Sequence, residues 1–165
     1  MHVSEVVPGD GGFESFVELF ERYRAHYGQS EDRDRARAWL TAATTTGPMR
    51  AFLARVDGVA AGICLAAIVP ASLSLGEFWM VRDVFVDPAQ RHGGVARALL
   101  DAVRAAASRD GAIRLTLQTE DDNEAALRLY EHYGFTPVTG LRHLALDLTS
   151  TEARPRRPTP GRRRP

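Results

Sequence analysis

Hydrophobic positions change period several times along this chain. His2 to Val7 alternates with period two before Pro8-Gly9-Asp10-Gly11-Gly12 interrupts it, which predicts a short first strand and a loop. Spacing of three and four then takes over. Phe13, Phe16, Val17, Phe20, Tyr23 and Tyr27 fall near one face of a helix ending about Gly28, and Ala36, Trp39, Leu40 and Ala43 mark a second helix, stopped by Gly47-Pro48. Arg50 to Val56 and Val59 to Val69 are apolar segments joined by Asp57-Gly58, a strong signal for a tight antiparallel hairpin.

Pro70 to Gly76 reads as loop, and Glu77 to Val86 as a long strand ending at Asp87-Pro88. Arg91 to Arg109 places Val95, Leu99, Ala102, Val103 and Ala106 on one helical face, closed by Asp110-Gly111. Ile113 to Gln118 alternates as a strand. Asp121 is placed to cap the next helix, with Glu124 three positions on, Ala126, Leu129, Tyr130 and Tyr133 on its inner face and Gly134 at its end. Phe135 to Val138 and Leu141 to Leu148 read as closing strands. The predicted order is β-α-α-β-β-β-α-β-α-β-β, an α/β fold with a mixed sheet. A right-handed crossover across residues 77 to 119 makes its two strands parallel.

Composition adds one boundary. The chain has 165 residues and 44% apolar residues, enough for a single substantial core. From about Ser150 the residues are mostly Arg and Pro, so residues 1–149 are expected to form one domain and 150–165 a disordered tail. The formal charge of zero hides this division: the tail is basic and the body acidic. An acidic body argues against nucleic acid as partner of the folded part and favours a cationic substrate. No run approaches a membrane span and the start has no secretion-signal pattern, so no membrane association is expected and the compartment is read as cytoplasmic. Cys64, the single cysteine, lies in an apolar run and reads as a buried structural thiol. No metal cluster is expected.

The candidate chemistry begins at Gln90-Arg91-His92-Gly93-Gly94-Val95-Ala96. Its glycines permit close backbone approach, and the first amides of the following helix lack intrahelical acceptors at the positive end of its dipole. This suits an anion, with Arg91 or Arg97 adding ionic contact. The turn lacks the Gly-Lys-Ser/Thr of a P-loop and the spaced glycines of a dinucleotide fold. In an open sheet, ligands bind beyond the carboxyl ends of parallel strands, where this turn and the residues after Gln118 meet.

Arg91-x-x-Gly94-x-Ala96 resembles the Arg/Gln-x-x-Gly-x-Gly/Ala motif of the GNAT acetyltransferase superfamily. Asn123-x-x-Ala126-x-x-Leu129-Tyr130-x-x-x-Gly134-Phe135 resembles its second coenzyme element, and the two together cover about Glu77 to Val138. The resemblance implies a mostly antiparallel, twisted mixed sheet with a central parallel strand pair, and acetyl-CoA as acetyl donor. It implies that backbone around Phe85 and Val86 holds the pantetheine and acetyl carbonyl. The amides of His92, Gly93, Gly94, Val95, Ala96 and Arg97 would take the pyrophosphate and Asn123 the pantetheine arm. Tyr130 would stand near the sulfur as general acid to the departing thiolate.

The acceptor is less defined. Amide formation needs a neutral amine, so some group must take a proton from it. Superfamily members acting on small diamines carry an acidic pair in the long strand; here the stretch is Val81-Arg82-Asp83-Val84-Phe85-Val86, with Arg82 in the first acid's place. Asp83 either receives the amine or pairs with an arginine, and it faces away from Arg82 unless a bulge intervenes. Glu77, His132 and His143 are further titratable candidates, and Asp32 and Asp34 are acids at a helix start. Tyr23 and Tyr27, four residues apart on the first helix, either flank a cationic amine or serve as packing. The leading expectation is an N-acetyltransferase acting on a small-molecule primary amine in a ternary complex. The alternatives are a protein or peptide N-acetyltransferase and a non-catalytic coenzyme A-binding module. The family resemblance also admits a homodimer through the terminal strands, and the basic tail admits an anchoring role.

Overall fold

The Asp57-Gly58 turn is the local device that starts the sheet. Both residues have positive φ, 50° and 82°, the geometry that lets a two-residue loop match the twist of the strands it joins. The protein is described from a computed structural model over residues 1–148. In chain order its elements are β1 (His2–Val6), α1 (Phe13–His26), α2 (Arg33–Thr45), β2 (Met49–Val56), β3 (Val59–Ala71), β4 (Gly76–Val86), α3 (Val95–Arg109), β5 (Leu115–Leu117) and α4 (Glu124–Tyr133). The sheet runs in sequence order; its first three pairings are antiparallel and β4 with β5 is parallel.

Both faces of the sheet are covered, which is why β2 and β3 are apolar at odd and even positions alike. Ala51, Leu53, Ile63 and Leu65 face α1 and α2, against Phe16, Val17, Phe20 and Leu40. Phe52, Ala54, Cys64 and Ala66 face α3, against Val95, Leu99, Leu100 and Val103. Cys64 is completely buried there, and its burial raises the thiol well above its ordinary pKa, consistent with a structural residue. Each fully buried Leu, Ile or Val of this kind contributes about 1.5–3 kcal/mol.

One phase change in β4 shapes everything downstream. Trp79 and Val81 pack on the α3 side, whereas Phe85 packs on the α1 side, although all three are odd-numbered. Strict alternation forbids this. The register supplies the reason: Ala66 pairs with Val81 and Leu65 with Asp83, so Arg82 is an extra residue in β4. The bulge anticipated as a condition at this position is therefore present, and it brings Asp83 to the α1 side instead of the α3 side.

Four expectations are corrected. Phe135–Val138 and Leu141–Leu148 form no ladder. Alternation shows only that a segment could pair, and β5, the terminal strand, is three residues long (Leu115–Leu117), which leaves an outer edge too short to hold them in a ladder. Leu141, Leu144, Leu146 and Leu148 are accordingly exposed, and the parallel pair lies at the sheet's edge. The last helix is capped by Asn123, whose Oδ1 accepts from Ala126 N–H at 3.2 Å, and not by Asp121, which lies too far upstream to reach the first-turn amides. The third helix begins at Val95, because residues 88–94 are spent on a 3₁₀ turn and a tight loop. The tail expected from residue 150 onward lies outside the described residues.

The close approach of α3 to the sheet depends on Gly62. A Cβ there would lie 2.8 Å from the Phe85 carbonyl oxygen and 2.9 Å from Val95 Cγ1. Gly62→Ala must push the start of α3 away from β3 or shift β4. We expect it to lower stability by about 1–3 kcal/mol in urea denaturation; a change within experimental error would show that α3 does not rest on this glycine.

Candidate active site

The β4–β5 ladder ends at Val81 and Leu117, immediately before the bulge. Beyond it the two strands part. Asp87 N–H donates to Ala61 C=O at 2.9 Å, so backbone alternation turns the polar groups of Phe85 toward β3 and those of Val84 and Val86 toward the gap. The Val86 carbonyl indeed faces outward, where Arg91 Nε donates to it at 3.4 Å. The free backbone edge expected around Phe85 and Val86 is thus that of Val84 and Val86, while the Phe85 ring is buried against α1.

The gap opens into a cleft of about 580 Å³. Its wall includes, among the residues expected from the sequence, Tyr23, Tyr27, Asp83, Phe85, Val86, Arg91, His92, Gly94, Val95, Ala96, Arg97, Asn123 and Tyr130. Gly93 is the exception and does not line it. At one end is the turn before α3. His92 and Gly94 have positive φ, 63° and 79°, and for His92 that conformation costs roughly 1–2 kcal/mol. Gly94 offers no side chain to cap the helix, and the first helical bond runs from Ala98 N–H to Gly94 C=O, leaving the amides of Val95, Ala96 and Arg97 without intrahelical acceptors. Asp87 braces the turn: it accepts from Ala89 N–H at 3.0 Å and from Arg22 of α1 at 2.6 Å. The Arg22 bond, with that of Ala89, holds the Asp87 carboxyl below its ordinary pKa.

Asn123 spends its oxygen on the α4 cap, so its side-chain NH₂ is what it offers the cleft. Tyr130 is aimed from α4, whose end explains the spacing of its motif. Gly134, at φ 107°, closes the helix and Phe135 N–H donates to Tyr130 C=O at 2.9 Å, folding the Phe135 ring back against Tyr130 at 5.8 Å between centroids. Burial pushes the Tyr130 phenol up to about 12, and its hydroxyl has no hydrogen-bond partner among the described residues.

At the opposite end, Tyr23 OH donates to Asp83 Oδ1 at 2.7 Å. The Tyr23 ring meets Tyr27 edge-on at 5.2 Å and Phe85 at 6.0 Å. Burial raises the Asp83 carboxyl above the usual carboxylate value, against the Tyr23 hydrogen bond and the Arg82 charge, which pull it down. Tyr23 is raised in turn, first by burial and then by Asp83.

Other candidates fall elsewhere. Asp32 caps α2 through Arg35 N–H, Asp34 pairs with Arg37, His132 Nδ1 meets the Arg128 carbonyl at 2.6 Å, and His143 sits 3.5 Å from Gln118; none of them lines the cleft, nor does Glu77. Sequence reasoning missed Glu120 and His26, which do line it. Glu120 stands close enough for its charge to act on Tyr23, Tyr27 and Tyr130. Its signal was position, on the loop leaving the carboxyl end of β5.

Known proteins resemble this arrangement. The chain is 34% identical over 130 residues to YhfO, an uncharacterized N-acetyltransferase of Bacillus subtilis (strain 168), spanning 79% of this chain and 87% of that one. It is 34% identical over 106 residues to a mycothiol acetyltransferase of Clavibacter michiganensis subsp. michiganensis, covering 64% of this chain but only 32% of that protein. A crystal structure of a probable acetyltransferase superposes with a TM-score of 0.83 at 26% identity, covering 91% of this chain and 99% of the other. Residues 13–135 match the Acetyltransferase (GNAT) family, and the chain belongs to that family.

Proposed function

We propose that the chain is an acetyl-CoA-dependent N-acetyltransferase whose acceptor is a primary amine on a small molecule. The observation that carries this reading is that one cleft is lined by the amide-rich turn before α3, by Tyr130, and by a carboxylate with two tyrosines, with Tyr130 close enough to Tyr27 and Glu120 to feel their charge. The residues fit the coenzyme. The first-turn amides of α3 with Arg91 and Arg97 suit a pyrophosphate, and the open edge at Val84 and Val86 suits an extended arm that hydrogen-bonds like a strand.

Acetyl-CoA, when bound, supplies a thioester carbonyl at which the amine nitrogen forms a C–N bond as the C–S bond breaks. The chain's residues handle the protons. Asp83 takes one from the incoming ammonium, directly or through water, and its raised pKa makes it a better acceptor than an ordinary carboxylate. Tyr23 orients that carboxylate by its hydrogen bond and, with Tyr27, presents aromatic surface to the cation. Tyr130, held protonated by its high pKa, gives its proton to the departing thiolate and recovers one from the nitrogen that has just bonded, by way of solvent. The net products are the amide, the free thiol and one proton.

The direct test is thiol release from acetyl-CoA with polyamines, amino acids, aminoglycosides and short peptides. Turnover with at least one small amine is expected; coenzyme binding without release for any acceptor would instead indicate a binding module. Tyr130→Phe should keep coenzyme affinity in calorimetry and lower kcat roughly 10²- to 10⁴-fold. Unchanged turnover would remove Tyr130 from the chemistry.

The pH dependence follows from Asp83. Its basic form exists only above its raised pKa, so activity should fall as pH drops through a value above the ordinary carboxylate range. Tyr23→Phe deletes a hydrogen bond that favours the charged form, so the acid limb of kcat/KM should move to higher pH. A limb that stays in place would exclude Asp83 as the titrating group.

A further inference from the structure

Arg82 is a cation that lines the cleft beside Asp83 and has no ion-pair partner among the described residues. Four arginines of α1 and α2, Arg22, Arg24, Arg33 and Arg37, each hold a carboxylate. Among the described residues none lies within ion-pair distance of the Arg82 guanidinium, whose one polar contact is Met80 Sδ at 3.6 Å, a weak acceptor. The neighbouring Asp83 feels its charge but accepts at Oδ1 from the Tyr23 hydroxyl. Both residues line the same cleft because Arg82 is the bulged position: Met80 and Arg82 lie on the α1 side of β4, and the inserted residue brings Asp83 to that side too. A regular strand would have separated them. The phosphate turn lies downstream of Asp83 and has its own cations, Arg91 and Arg97, so Arg82 is surplus to the coenzyme's charge.

Resting on the N-acetyltransferase reading above, we propose that Arg82 selects an acceptor bearing a carboxylate beside its amine, an amino acid or close analogue. Its ammonium lies toward Asp83, Glu120 and the tyrosine rings, and its carboxylate lies on the Arg82 fork. A guanidinium offers two parallel N–H donors to a carboxylate, so the site reads geometry as well as charge. The adjacent opposite charges match a zwitterion and mismatch a simple diamine, whose second cation would meet Arg82.

The test uses the full chain and acceptor pairs that differ only in the carboxylate: histidine with histamine, lysine with cadaverine, phenylalanine with phenethylamine. The readout is the ratio of kcat/KM within each pair, which cancels changes common to both members. The wild type should favour the carboxylated member of at least one pair. Arg82→Gln should reduce that ratio on the order of 10- to 100-fold, chiefly through the KM of the carboxylated member. Arg82→Glu should invert it; should that variant not fold, by circular dichroism, Arg82→Gln decides alone. Turnover that favours the decarboxylated members in every pair, or a ratio that survives Arg82→Gln, overturns the proposal while leaving the acetyltransferase reading intact. Silence with every amine overturns both.

Discussion

The inserted residue in β4 is the constraint on which the site depends. Upstream of Arg82 the strand gives its odd-numbered side chains to α3 and its free edge to β5; downstream it gives its odd-numbered side chains to α1 and its edge to the gap. A bulge bends its strand and interrupts the ladder locally. Here β5 stops pairing at Val81, the point where β4 changes phase, so one irregularity both opens the cleft and rotates Asp83 into it. Gly62 on the adjacent strand serves the same region by letting α3 start close to the sheet, so that its free amides face the space the bulge created.

The two ends of the cleft are built from different materials. The turn before α3 and the edge of Val84 and Val86 present mainly backbone groups, whose arrangement follows from φ angles and ladder geometry. The other end presents side chains: Tyr23, Tyr27, Asp83, Arg82 and Glu120, from two helix turns, a bulge and a loop. Backbone sites tolerate variation wherever dihedrals are kept, and side-chain sites change with each substitution. A family can therefore keep one donor while its members diverge in acceptor, with no change to the fold.

This difference also explains what could be read in advance. Long periodic segments, α1, α3 and the β2–β3 hairpin, were legible because each carries its own pattern and stop signals. The Asn123 to Phe135 element was legible too, since its spacing encodes a cap, an aimed tyrosine and a glycine-closed helix end. The exact cap residue was not, because Asp121 and Asn123 are chemically similar and only the backbone path decides between them. The closing strands failed for a different reason: alternation states that a segment could pair, and the partner's free edge is a property of the whole sheet. Glu120 was missed because it belongs to no periodic segment, and a loop acid acquires meaning only from the strand end that carries it.

The pairing of Tyr23 with Asp83 shows how local and global structure meet at the side-chain-lined part of the cleft. A carboxylate drawn into a low-polarity cleft is raised in pKa, which favours its protonated form. The single phenolic donor counters part of that rise without neutralising the charge, as an arginine ion pair would have done. Arg82 stands next in sequence yet is not bonded to Asp83, so its charge moderates the carboxylate from a distance while its donors meet only the weak acceptor Met80 Sδ. Had the strand been regular, Asp83 would have faced α3, away from Tyr23, and neither moderation nor access to the cleft would exist. The placement of the Asp83 carboxylate, the tuning of its pKa and the position of the adjacent guanidinium are thus three consequences of one extra residue.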